Sequence, residues 1–235
     1  MKGIWEMLAV VVAVTVAGCG GESEDRASPS ATPAPAERKT VIRDAKLTVI
    51  QPIRLPRSTP VPTPSPATRE EYRKAMDEST QALKLDSKNT EAFRKRGEAK
   101  RELNDYSGSI RDLTKAIALQ PQDPSLYLER ARAGYRSGNS RMALDDSSRA
   151  IELDPNLLPA YAARGRARSD NAEHQGALED WTRVIEGDPA NTEAYRFRGI
   201  ARFGLNDTEG ACQDWRKARE MGDAEARELI KQNCW

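Results

Sequence analysis

Ala116-Ile-Ala-Leu-Gln-Pro121, Ala150-Ile-Glu-Leu-Asp-Pro155 and Val184-Ile-Glu-Gly-Asp-Pro189 are three versions of one phrase, set 34 residues apart. Asp223 stands one further step along. A fixed period of this length marks a chain built from stacked supersecondary units, each too small to bury its own apolar face. With Thr90 as position 1, four full units run 90–123, 124–157, 158–191 and 192–225. Proline cannot continue a helix, so each phrase closes one helix and the next opens beyond it.

The units agree well beyond the proline. Position 4 is aromatic (Phe93, Tyr127, Tyr161, Tyr195) and position 8 is small (Gly97, Ala131, Gly165, Gly199). Position 10 is always alanine, position 20 is Ser109, Ala143, Ala177 and Ala211, and position 27 is Ala116, Ala150, Val184 and Ala218. Small side chains at these places let two helices of a hairpin approach closely. The pattern resembles the tetratricopeptide repeat, which implies an all-α, right-handed superhelix of helical hairpins. Arg198-Gly199 and its counterparts resemble an arginine-glycine subclass of that family. The third unit has Asn171-Ala172-Glu173-His174 at its turn, so a looser turn is expected there; His174 stands where a tyrosine usually packs.

The array starts with half a unit, assigned to residues 68–89. Residues 71–85 have second-helix spacing, with Ala75, Ala82, Leu83 and Leu85 in register. Its first helix is displaced by Pro60-Val-Pro-Thr-Pro-Ser-Pro66, and Thr68-Arg-Glu-Glu71 fits a capping box that starts the helix there. At the far end a closing helix, roughly residues 224–233, covers the last hairpin, capped by Asp223; residues 226–235, beyond the fourth unit, are assigned to it as the terminal segment.

Charge repeats too. Position 7 is Arg96, Arg130, Arg164 and Arg198; position 23 is Asp112, Asp146, Asp180 and Asp214, with Glu78 in the half unit. An unpaired charge near a hairpin interface is costly. The economical reading is a set of structural ion pairs; the alternative is that these arginines line a ligand site. Trp181 and Trp215 share position 24 and are expected in the core.

The chain of 235 residues has 37 basic and 36 acidic residues, a net +1, which does not call for nucleic acid. One histidine and three cysteines leave little for a catalytic triad or a zinc cluster. Residues 7–18 form an apolar run shorter than the ~20 residues of a spanning helix. Residues 1–18 therefore read as a signal peptide. Val16-Ala17-Gly18-Cys19 resembles the bacterial lipobox, which implies lipidation at Cys19 and an anchor in the cell envelope. That anchor is expected on the periplasmic face of the outer membrane or the outer face of the cell membrane. Residues 19–67 then form a Pro/Ser/Thr-rich, largely disordered tether, with strand-like pieces at Thr40-Val-Ile and Lys46-Leu-Thr-Val-Ile50. Cys212 and Cys234 in that compartment are expected to pair, with two free thiols as the alternative. Gly210-Ala-Cys-Gln-Asp-Trp215 also resembles the tails of other exported repeat proteins of this type.

The function expected is protein binding. No nucleophile–base pair stands out from the repeat, so no enzyme activity and no cofactor or metal are expected. In the family resembled, first helices line the concave groove, and here each carries a net +2, as Arg164, Arg166 and Arg168 against Asp170 illustrate. The groove candidates are Arg94, Arg132, Arg166 and Arg196, with Tyr135 and Phe203 as aromatic contacts. They would suit an acidic or carboxylate-terminated segment of an envelope protein. The alternative is a scaffold that assembles an envelope complex without reading a defined peptide.

Overall fold

The computed structural model describes residues 65–235. Cys19, the leader and the tether up to residue 64 lie outside the described residues. Among the described residues all regular structure is helical. The order is α1 (Pro66–Leu85), α2 (Thr90–Glu102), α3 (Tyr106–Leu119), α4 (Pro124–Arg136), α5 (Ser140–Leu153), α6 (Leu158–Asp170), α7 (His174–Gly187), α8 (Thr192–Gly204), α9 (Thr208–Glu220) and α10 (Ala224–Asn233). Helices α2 to α9 form four hairpins, α1 packs on α2, and α10 closes on α9. Contacts that skip a helix join α2 to α4, α4 to α6 and α6 to α8, so the first helices converge as the inner layer.

The start of α1 corrects the capping-box expectation. Pro66 is the first helical residue, and the Ser65 hydroxyl accepts the Thr68 amide. Proline suits that place because its missing N–H has no helical partner there anyway. Leu85 is also corrected: it is 91% exposed, because the helix ends there and Leu83 takes the packing position instead.

Most later helices begin with a side-chain cap. Asn89, Asp105, Asp123, Asn139, Asn191, Asp207 and Asp223 each accept a first-turn amide. Such a cap contributes about 1 kcal/mol. Helices α6 and α7 lack one, since Leu157 and Glu173 stand at the cap.

The third hairpin turn is no looser than the others. In all four, position 15 is left-handed: Asn104 at φ 66°, Gly138 at 81°, Ala172 at 59° and Asn206 at 65°. In all four, the next amide donates to the carbonyl five residues back, at 2.8–2.9 Å. That closure is a backbone matter, so it survives the loss of the usual side chains. Its cost falls on Ala172, whose Cβ crowds the following carbonyl in this conformation.

The small positions permit the close packing. A Cβ added to Gly165 would sit 2.9 Å from the Trp181 ring, and one on Gly199 would sit 2.5 Å from the Trp215 ring. Both tryptophans are fully buried, and Trp181 stacks on Phe197 of the next hairpin with centroids 5.0 Å apart. Ala172→Gly is therefore expected to raise stability by about 1 kcal/mol. Urea unfolding followed by circular dichroism checks it; a lower midpoint would mean that Ala172 is unstrained.

Candidate functional site

Four buried acid–base steps run through the hairpins. The guanidinium of Arg96 forks onto Asp112, with Nε–Oδ2 at 2.8 Å and Nη2–Oδ1 at 2.7 Å. Arg130 meets Asp146 with the same fork at the same distances. Arg164 meets Asp180 with Nη2–Oδ1 at 2.7 Å, and Arg198 meets Asp214 likewise. The four aspartates are buried. Each arginine also lies over the position-4 ring three residues earlier, 5.5–5.9 Å from the centroid. Three of them reach back to a hydroxyl of the preceding hairpin: Arg96 to Thr80, Arg130 to Thr114 and Arg164 to Ser148. One side chain thus ties its own hairpin together and joins it to the one before.

A second cation on these aspartates escaped the sequence reading. Lys100 Nζ lies 2.7 Å from Asp112, Arg168 Nη1 2.9 Å from Asp180 and Arg202 Nη1 2.9 Å from Asp214. All three occupy position 11. The second hairpin has Gly134 there, and Met142 fills the space above it, with Cγ 3.1 Å from where a Cβ would stand. Elsewhere position 19, the place of Met142, is glycine (Gly108, Gly176, Gly210). This exchange of a long side chain between positions 11 and 19 was the available signal. Asp146 is left with Arg130 as its cation.

Burial works against the Asp112 charge, but hydrogen bonds from Arg96 and Lys100 outweigh it and hold the carboxyl below its ordinary range. A native value below the unfolded one means stability that is fully present above the ordinary carboxylate range. It is lost as pH falls through the lower native value.

The groove candidates are brought to the inner layer, yet each has an acidic neighbour. Arg94 is held by Glu91 at 2.6 Å and Arg132 by Glu129 at 2.6 Å. Arg166 pairs with Glu193 of the next hairpin and lies 5.7 Å over Phe197. Two expectations are corrected. Arg196 is only 14% exposed, because α10 brings Asp223 to 2.8 Å and Glu225 to 2.7 Å of its guanidinium; it latches the cap. Phe203 packs against Trp215, centroids 5.7 Å apart, as part of the last core cluster. Tyr135 is half-buried, and its phenol is pushed well above the usual range by burial and by the nearby Asp170. Cys212 and Cys234 are joined in a disulfide between α9 and the end of α10. His174 is half-buried against Gly204.

A family model described as the bacterial transcriptional activator domain matches residues 68–151, short of half the chain. No curated protein matches significantly. Among solved structures, MamA is 25% identical, with a TM-score of 0.62 over 68% of this chain and 94% of its own. YrrB, described as a TPR protein with an unusual peptide-binding site, is 22% identical, with a TM-score of 0.61 over 71% and 86%. The first TPR of Spaghetti (RPAP3), bound to the HSP90 peptide SRMEEVD, is 28% identical, with a TM-score of 0.50 over 52% and 96%. The fold is a tetratricopeptide solenoid.

Two measurements test the acid–base steps. Arg130→Leu strands the buried Asp146 and is expected to cost about 3–5 kcal/mol. Arg164→Leu leaves Arg168 on Asp180 and is expected to cost about 2 kcal/mol. Equal losses in urea unfolding would show that the second cation is irrelevant. In acid titration, Asp112→Asn should flatten the fall in stability below about pH 4.

Proposed function

We propose that this chain is a protein-binding module whose inner, first-helix face takes an extended, carboxylate-bearing segment of a partner. The carrying observation is the pair Arg132 and Arg166. They hold the same position in consecutive first helices, and their side chains remain 40% and 39% exposed. Arg132 is held by Glu129, which is 13% exposed and shared with Arg101, and Arg166 by Glu193, which is 36% exposed; a partner carboxylate can take either arginine, and Glu129 then keeps Arg101. The Arg166–Glu193 pair is more than a third exposed on both sides, and such surface pairs contribute only about 0–1 kcal/mol, so its strength does not block exchange. Arginine's planar fork suits carboxylates. The RPAP3 relative supports the reading, since its bound peptide SRMEEVD is rich in Glu and Asp.

A second reading, a scaffold without defined peptide recognition, is favoured by one observation: all four groove arginines already have internal acidic partners. The double variant Arg132→Glu, Arg166→Glu separates the two. It should fold normally and lose at least tenfold in affinity for partners captured at low salt, and added salt should weaken wild-type capture. Retention of every partner by a folded variant moves the function to the scaffold reading.

We also infer that the module is tethered to the cell envelope through a lipid on Cys19, following the lipobox-like Val16-Ala-Gly-Cys19. Cys19→Ser should abolish incorporation of labelled palmitate and release the chain from the membrane fraction. Labelling that persists in the variant refutes the anchor.

A further inference from the structure

In each complete hairpin the second helix offers its own first helix one constant face: a small residue at position 20, an acid at 23 and a small residue at 27. The small residues are at most 2% exposed and the acids at most 5%. Helix α1 carries the same face, with Ala75, Glu78 and Ala82 at those positions. Among the described residues no first helix lies against it, and the sequence just before it alternates proline from Pro60 to Pro66, a pattern that does not suit a helix. Among the described residues α1 packs on α2, on its other side. Ala75 and Ala82 are accordingly left partly exposed. The Glu78 side chain is 68% exposed, and its ion pair with Lys74 is a 3.8 Å contact one turn away on the same helix. Such a pair holds an acid only weakly, by about 0.2–0.5 kcal/mol.

The molecule itself states what covers such a face. Four times, the acid at position 23 is buried by an arginine from a first helix, followed by a glycine or alanine that lets the helices close. We propose that the open face of α1 docks a helix supplied by another protein and built like this chain's own first helices. Its arginine would fork onto Glu78, and the small residue after it would lie against Ala75 and Ala82. The opposite end of the array offers no such place. There α10 covers the last hairpin, latched by Arg196 to Asp223 and Glu225 and stapled by the disulfide. Among the described residues the solenoid is sealed at one end and incomplete at the other. This docking site is separate from the inner groove and does not depend on what binds there.

The test uses the full chain and a labelled peptide of residues 192–205, which contains Arg198-Gly199 and has the first-helix sequence. Anisotropy should report binding that weakens at least tenfold with Glu78→Arg and with Ala75→Trp. Both substitutions lie on the open face, and circular dichroism should show both variants fully helical. A peptide carrying Arg198→Glu should restore binding to the Glu78→Arg chain. No binding by the wild-type chain, or equal binding by wild type and both variants, overturns the proposal. So does a dimer of the chain that Ala75→Trp dissolves, because the face would then pair two copies.

Discussion

The bidentate pair between position 7 and position 23 is the constraint on which the rest depends. A buried carboxylate without a cation would cost several kcal/mol, so the arginine must arrive in the right place in every hairpin. Its arrival fixes how the first helix is rotated against the second. That rotation sets the next residue, position 8, directly against the second helix. Glycine or alanine follows because a larger side chain would strike Leu113, Trp181 or Trp215. The aromatic at position 4 then lies beneath the guanidinium, which has its donors turned to the aspartate and its flat face to the ring. Four features that read as separate conservative choices are one geometric solution.

The same chemistry governs the inner face. Every first helix has more arginine than its own aspartate step consumes; Arg94 and Arg132 turn to glutamates of their own helices, and other members of the surplus reach across to a neighbouring element. Arg101 reaches Glu129, Arg166 reaches Glu193, and Arg196 reaches Asp223 and Glu225. These contacts cross from one hairpin to the next on the side where the first helices converge. They hold the joints while remaining shallow enough, at Arg166, to be exchanged. A groove of this kind selects partners by substitution of one carboxylate for another, which favours specificity and encounter rate over raw strength.

The fold was largely legible because a 34-residue period carries packing rules at fixed positions, and side chains at those positions face the same surroundings four times. The arginine–aspartate register could be read for the same reason. The groove was less legible. Charge counted along a helix says nothing of acids brought in by a neighbour, so Arg196 could not be told from Arg132 until α10 placed Asp223 and Glu225 beside it. Phe203 was misread because position 12 holds unrelated residues in the other units, Arg101, Tyr135 and Ser169, so no repeated rule shows that the ring in the last unit lies against Trp215. The position-11 cations were missed since Lys100, Gly134, Arg168 and Arg202 look unrelated until Met142 is seen to take the place that glycine holds at position 19.

The differences among the repeats show where local and tertiary energies trade. The third hairpin has the poorest local chemistry: neither α6 nor α7 has a side-chain cap, and Ala172 is held left-handed. It also has a rich interface, with Trp181 fully buried against Gly165 and stacked on Phe197. In a stack where each unit touches only its neighbours, stability is close to a sum of unit and interface contributions. A unit weak in itself persists if its interfaces are strong. The half unit α1 is the reverse case. Its helix is capped at Ser65 and long, but it has one interface where each full hairpin has two. By that sum the array is least secure at its first helix, and any partner that supplies the missing interface gains affinity from the same contacts that hold the repeats together.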